Sequence, residues 1–259
     1  MLNRELRKHV LKTLQSGLRF NNRGLEDYRE VTVEFGVSKN AEGSARVTIG
    51  DTIVLAGVKM SLEKPFNDKP DEGILMVNTE LTPMSSPDFE AGPPGDEAIE
   101  IARVVDRGIR EAKTIDLKQM VIKAGEKVWG VSIDIVSVNE DGNLMDAAGL
   151  AAIAALSVTK FPSMENEKID YKKITDKKLP VNELPIPVTV VKIGDKLLVD
   201  ADTEEKEVID ARITITSIED GQIVSMQKGG DAGFTLEELD LMLGLALRKA
   251  KELRAKLKK

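Results

Sequence analysis

Residues 128–158 read VWGVSIDIVSVNEDGNLMDAAGLAAIAALSV, and the fold turns on this stretch. Val128 to Val138 is rich in β-branched residues and broken only by Gly130, which predicts a long strand. Glu140-Asp141-Gly142-Asn143 has the composition of a tight turn. Ala147 to Val158 is nearly all apolar and rich in Ala, which predicts a helix buried on most sides.

Upstream, residues 3–18 predict an amphipathic helix, with Leu6, Val10 and Leu14 at i, i+4 and i+8. Val31 to Phe35 alternates with period two, as a half-buried strand does. Ser44 to Ile49 and Thr52 to Ser61 flank Gly50-Asp51 and predict a hairpin. Ile74 to Glu80 is a further strand. The stretch from Thr82 to Gly95 carries Pro83, Pro87, Pro93 and Pro94 and reads as a surface loop. Asp96 stands where it can cap a helix running to about Ala112.

Downstream, residues 161–185 hold several lysines with Pro162, Pro180 and Pro185, and predict an exposed connection with at most one short strand. Val188 to Ile193, Lys196 to Val199, Arg212 to Ile218 and Gln222 to Gln227 read as strands. Thr235-Leu236-Glu237-Glu238 is a capping box opening a last helix to about Leu257, with Leu239, Leu243 and Leu247 on one face. The basic run from Lys249 to Lys259 complements the dipole of that helix. The order of elements predicts an α+β protein with two sub-domains of the same style, 1–160 and 186–259, joined by 161–185.

The 259 residues carry 37 Lys+Arg against 44 Asp+Glu, a formal net charge of −7. A 41% hydrophobic and 31% charged composition is that of a globular chain. The absence of cysteine excludes disulfides, thiol chemistry and thiolate metal sites, and a single histidine, His9, excludes multi-histidine metal sites. With 3% aromatics no platform can stack several bases, and the acidic balance disfavours sequence-blind duplex binding. Met1 to Phe20 lacks the apolar core of a signal peptide, and the longest apolar stretch, 147–158, is too short to span a bilayer. The expectation is a soluble, cytoplasmic protein.

Arg103, Arg107 and Arg110 share one face of the 96–112 helix, opposite Ala98, Ile99, Ala102, Val105 and Ile109. Guanidinium groups in such a row suit a phosphodiester chain. They equally suit a solvated face paired with Glu100, Asp106 and Glu111. Asp141-Gly142 lacks the remainder of an EF-hand loop and reads as a plain turn. Asp200, Asp202, Glu204, Glu205, Glu207 and Asp210 form an acidic cluster, which reads as a solvated loop or as a place for Mg²⁺. His9 reads as a surface residue and Trp129 as core. Gly229-Gly230 and Gly92-Pro93-Pro94-Gly95 are turn chemistry and match no nucleotide-binding loop.

Taken together and in order, Arg23 with Asp27-Tyr28-Arg29, Gly43-Ser44-Ala45, Gly50-Asp51-Thr52, Glu90-Ala91-Gly92-Pro93-Pro94, Ala102 to Arg107 and Asp141-Gly142-Asn143 resemble the RNase PH family. Within that family the chain looks most similar to the non-catalytic RNase PH-like subunit of the archaeal exosome. The resemblance implies an RNase PH-like fold (ribosomal protein S5 domain 2-like), with two βαβ-type sub-domains and mixed sheets packed by helices. It implies a hexameric ring of three heterodimers with the catalytic RNase PH-like subunit. It also implies S1/KH-type RNA-binding cap subunits, and single-stranded RNA degraded from its 3′ end by inorganic phosphate.

Active members of the family follow the Asp-Gly turn with a small hydroxyl residue and an arginine that hold phosphate. Here Asn143, Leu144 and Met145 follow. Active members also place two aspartates six residues apart, and these positions hold Glu204 and Asp210 here, a vestigial pair. The resemblance therefore implies no catalytic residue, metal ligand or cofactor in this chain, with phosphate and Mg²⁺ bound by the catalytic partner. It assigns Arg103, with Arg107 and Arg110 beside it, to RNA contact at the subunit interface. The alternative is that the chain is itself an active phosphorolytic 3′-to-5′ exoribonuclease.

Overall fold

The computed structural model describes residues 2–165 and 168–258. Met1 and Lys259, the ends of two segments read above, lie outside the described residues, as do two positions of the 161–185 connection. The elements in chain order are α1 (Leu2–Leu14), β1 (Val31–Phe35), β2 (Gly43–Ile49), β3 (Thr52–Glu63), β4 (Ile74–Glu80), α2 (Asp96–Glu111), β5 (Val121–Lys123), β6 (Lys127–Asn139), α3 (Leu144–Ser157), β7 (Lys160–Glu165), β8 (Lys168–Lys178), β9 (Ile186–Ile193), β10 (Lys196–Val199), α4 (Thr203–Lys206), β11 (Ala211–Ser217), β12 (Ile223–Gly230) and α5 (Leu236–Ala255).

Three sheets result. The first has the order β1-β2-β3-β6-β4 with β5 against β6, and only β4 runs parallel to its neighbour. The second is the antiparallel sheet β10-β9-β11-β12, and the third is the pair β7-β8. The predicted strand–turn–helix of 128–158 is β6, its turn and α3, and it forms the centre of the molecule. Every residue of α3 from Leu144 to Leu156 is buried, because the helix contacts β2 and β3 on one side and β9 on the other. Its many alanines let both sheets approach closely. A Cβ on Gly149 would stand 2.2 Å from Pro187 Cγ, so that position has no room for a side chain. One apolar core runs from the first sheet through α3 to the second, and a smaller one holds Val10 and Leu14 of α1 against Val191, Ile193 and Leu198. Among the described residues no helix is long and apolar enough to cross a membrane.

Several local expectations change. Helix α1 stops at Leu14 instead of residue 18, and Gly17 takes φ 78°, the left-handed conformation that commonly follows a helix end. The connection expected to hold one short strand holds the paired β7 and β8. Pro162 reads as a strand breaker in sequence, but the ladder shifts register there and so accommodates it. Asp96 does not cap α2. Gly95 is the N-cap residue, and Asp96 lies in the first turn, where its charge favours the helix dipole. Ile99 is 45% exposed, since it sits about 100° around the helix from buried Ala98, next to the arginine row. Ile101 and Val104 take the inner face instead. The capping box of α5 forms as read, with Thr235 and Glu238 bonded reciprocally at 3.1 and 2.9 Å. The buried apolar residues of α5 are Met242, Leu245, Ala246, Ala250 and Leu253, with Leu239 and Leu243 at the flank.

Candidate functional site: the turn before α3 and the arginine face of α2

The turn between β6 and α3 is fixed by a network of charges from distant parts of the chain. Asp200 is fully buried. Its carboxylate accepts from Arg29 Nε at 2.9 Å and Nη2 at 2.8 Å, from Arg23 Nη1 at 2.6 Å and from Asn143 Nδ2 at 3.0 Å. Arg29 also pairs with Asp141 at 2.8 Å. Burial alone would raise the Asp200 carboxyl, but the hydrogen bonds and charge of Arg29, with the charge of Arg23, hold it below the usual carboxylate range. Beside it, buried Arg19 pairs with buried Glu205 and donates to the carbonyls of Val199 and Asp200. The acidic cluster at 200–210 is therefore no solvated loop. Its two innermost carboxylates are neutralised by arginines from residues 19–29, because a buried carboxylate must find a cation or give up its charge.

Gly142 holds φ 82° in this turn, and a Cβ there would stand 2.3 Å from the carbonyl oxygen of Ala201. Strain and a clash with backbone coincide, so Gly142→Ala should destabilise the chain by about 1–3 kcal/mol in urea unfolding. Asn143 also has a positive φ, of 57°, but asparagine tolerates it.

Asp146, in the first turn of α3, is fully buried and has no cation partner among the described residues. Its carboxylate accepts from Tyr28 Oη at 2.6 Å and from the Thr189 amide at 2.8 Å. Burial pushes its pKa up to about 6, against the opposing pull of those hydrogen bonds. An unfolded aspartate titrates near ~3.9. The folded state thus binds more protons between about pH 4 and pH 6, and this group makes stability rise as pH falls through that window, by up to ~3 kcal/mol. Asp146→Asn should remove that slope, read as the difference between variant and parent in urea unfolding at pH 4, 5, 6 and 7.

A cleft of about 420 Å³ opens at the start of α3. Asn143, Leu144 and Met145, the positions where the family resemblance implies that active members hold phosphate, form part of its wall. Its two cations both have carboxylate partners, although Arg212 Nη1 has no hydrogen-bond partner of its own among the described residues. Lys206 lies 3.1 Å from Glu97 and 3.2 Å from Glu140, and Arg212 lies 2.6 Å from Glu100. With Asp96 also on the wall, carboxylates outnumber cations and the cleft opposes a phosphate dianion. Glu204 is exposed. Asp210 is held by Arg7 at 2.9 Å and by the Gly194 amide at 2.7 Å. Among the described residues no group of three or more His, Cys, Asp or Glu is arranged to hold a metal ion.

The three arginines of α2 share a face but differ in commitment. Arg110 pairs with Asp106 at 2.8 Å and donates to the carbonyl of Leu75 on β4 at 2.6 Å. Arg107 is half-buried and reaches the carbonyl of Met226 and Oε1 of Gln227 on β12 at 3.4 and 3.5 Å. These two side chains tie α2 to the outer strands of two different sheets. Arg103 is exposed, has no hydrogen bond or ion pair among the described residues, and lines a cleft of about 330 Å³ with Arg107 and Gln227. His9 is exposed and stacks on Phe20 at 4.9 Å, and Trp129 is buried against Phe161 at 5.4 Å.

Sequence reasoning about sites passed over Arg19, Arg29, Tyr28 and Asp146. A signal was available for two of them, since Tyr28 and Arg29 belong to a motif that carried the family resemblance.

The RNase PH models, described as 3′ exoribonuclease family, domains 1 and 2, match residues 27–162 and 183–249. The chain belongs to this family and has the RNase PH-like fold. It is 46% identical over 257 residues to the exosome complex component Rrp42 of Thermococcus kodakarensis, covering 98% of this chain and 94% of that protein. It is 47% identical over 254 residues to the Rrp42 of Archaeoglobus fulgidus, covering 97% and 95%. Among solved structures it is similar to a chain of the Archaeoglobus fulgidus exosome with RNA bound to the active site. The TM-score is 0.92 at 45% identity, over 99% of both chains.

Proposed function

We propose that this chain is the non-catalytic RNase PH-like subunit of a cytoplasmic, phosphate-dependent 3′-to-5′ RNA-degrading exosome. It pairs with the catalytic RNase PH-like subunit in a ring of three heterodimers, beneath S1/KH-type RNA-binding cap subunits. The two sub-domains, 1–160 and 186–259 with the connection 161–185, belong to this proposal, with α1 packing across the division onto β9 and β10. Full-length similarity to Rrp42 proteins supports the assignment to an exosome.

The single observation that carries catalytic silence is the cleft at the start of α3. Phosphorolysis brings a phosphate oxygen onto the 3′-terminal phosphodiester and releases a nucleoside diphosphate. That step rests on positioning and charge stabilisation of two anions. Leu144 and Met145 offer no side-chain donor, and Lys206 and Arg212 are charge-balanced by Glu97, Glu140 and Glu100, with Arg212 Nη1 the one donor left over among the described residues. Phosphate and Mg²⁺ are accordingly assigned to the partner, and Glu204 and Asp210 are vestigial. What this chain contributes is a phosphate clamp on single-stranded RNA, reading no bases, from Arg103 first and Arg107 second. Co-expression with a catalytic paralogue followed by native mass measurement tests the assembly. A six-membered heteromeric ring is expected, and a monomer would overturn the architecture.

A further inference from the structure

β7 and β8 form a two-stranded ribbon that follows α3, so its base lies at the far end of that helix from the cleft, ~20 Å away. The 6 residues of β7 face the 11 of β8, and the ladder absorbs the excess by bulging. Ser163 pairs with Asp170 and its neighbour Pro162 with Ile174, so Tyr171, Lys172 and Lys173 stand opposite no residue of β7. A bulge of this kind turns side chains out of the ladder. Tyr171 is 52% exposed, and Lys172, Lys173 and Ile174 are exposed beside it. The ribbon is also rich in lysine, in a chain of net charge −7. Lys160 answers Asp176 at 3.3 Å, and Lys173 answers Glu165 at 3.5 Å and Asp170 at 3.7 Å. Lys177 Nζ lies 4.7 Å from the centre of the Phe161 ring. Lys168, Lys172 and Lys178 are exposed and have no carboxylate partner among the described residues.

Lysines on an open strand discourage unwanted strand pairing, but that purpose requires neither the bulge nor the exposed ring. The ring is itself held in place, since Lys59 Nζ of the first sheet stands 4.8 Å from its centre. An aromatic ring among unpaired lysines is the combination that holds single-stranded nucleic acid, with the cations along the phosphates and the ring under a base. An acidic protein segment would use the lysines and leave the ring idle. We infer that the ribbon is a second surface for single-stranded RNA, with Lys168, Lys172 and Lys178 on phosphates and Tyr171 stacked on a base. The inference rests on the proposed place of this chain in an RNA-degrading assembly, and it makes no use of Arg103.

The test uses the full chain and a fluorescein-labelled oligouridylate followed by anisotropy over a range of salt, with a labelled oligoglutamate as a polyanion that has no bases. The parent chain should bind the RNA. K168Q/K172Q/K178Q should weaken binding roughly tenfold at low salt and lower the slope of log affinity against log salt by about 2, the release expected for three phosphate contacts. K8Q/K12Q/K251Q, which makes the same change of net charge at exposed sites on α1 and α5, should leave affinity within about twofold. Y171L should weaken binding about fivefold with the salt slope unchanged, since it removes stacking and no charge. Absence of RNA binding by the parent overturns the inference, as does equal weakening in the two lysine variants, which would mark diffuse attraction. Loss of affinity in R103A with none in K168Q/K172Q/K178Q would remove the ribbon and leave the clamp at α2 standing. Oligoglutamate binding as tightly as the RNA, and lost equally in the ribbon variant, would replace RNA with an acidic protein segment.

Discussion

Replacing Arg19 by methionine is expected to lower stability by about 3–5 kcal/mol, because it strands a carboxylate inside the protein. Arg19 is 1% exposed and Glu205 is 1% exposed. The guanidinium answers Glu205 through Nε at 2.7 Å and through Nη2, and it satisfies the carbonyls of Val199 and Asp200 at 2.8 and 2.6 Å. Methionine fills similar volume and supplies none of these donors. Glu205→Gln is the informative companion. It leaves Arg19 with its carbonyl acceptors and one neutral oxygen, so its cost should be smaller, about 1–3 kcal/mol. A chain of this size loses roughly 2–4 °C of melting temperature per kcal/mol, so calorimetry separates the two variants. Equal melting temperatures for Arg19→Met and the parent would show that the ion pair holds nothing together.

Arg103→Ala in the assembled ring should lower affinity for single-stranded RNA roughly ten- to a hundredfold, the scale of a lost charge-assisted hydrogen bond to phosphate. The slope of log affinity against log salt should fall by about 0.7, the release associated with one phosphate contact on a single strand. Arg110→Ala should behave in the opposite way. Its guanidinium is occupied by Asp106 and the Leu75 carbonyl, so the variant loses stability and leaves RNA affinity nearly unchanged. Arg107→Ala falls between, since its contacts at 3.4 and 3.5 Å are at the long end of hydrogen bonding. Equal effects from all three substitutions would contradict a clamp centred on Arg103.

The strand, turn and helix of 128–158 were legible because each carries its own periodicity or turn chemistry, and because an alanine-rich apolar helix has few places to go other than between sheets. The capping box at Thr235 was legible for the same local reason. The β7–β8 pair was not, since its lysines and Pro162 mimic a loop and only the partner strand makes it a ladder. The acidic segment 200–210 looked solvated because its cations lie far away along the chain. Arg19 and Glu205 are 186 residues apart, and Arg29 and Asp200 are 171 apart. The arginine face of α2 could be read from helical spacing, whereas its division of labour could not. Leu75, which occupies Arg110, and Met226, which reaches Arg107, are brought there by two different sheets. The departure from the hydroxyl and arginine that active family members carry was visible in Leu144 and Met145. That Lys206 and Arg212 already have carboxylate partners became visible only with Glu97, Glu140 and Glu100 in place.

In the proposed assignment this chain positions RNA for phosphorolysis and does not perform it. The direct measurement is nucleoside diphosphate release from poly(A) in the presence of inorganic phosphate and Mg²⁺, by the purified chain alone and by the ring formed with a catalytic paralogue. The chain alone should release no ADP above background while the ring releases it steadily. Robust ADP release by the isolated chain would contradict the account.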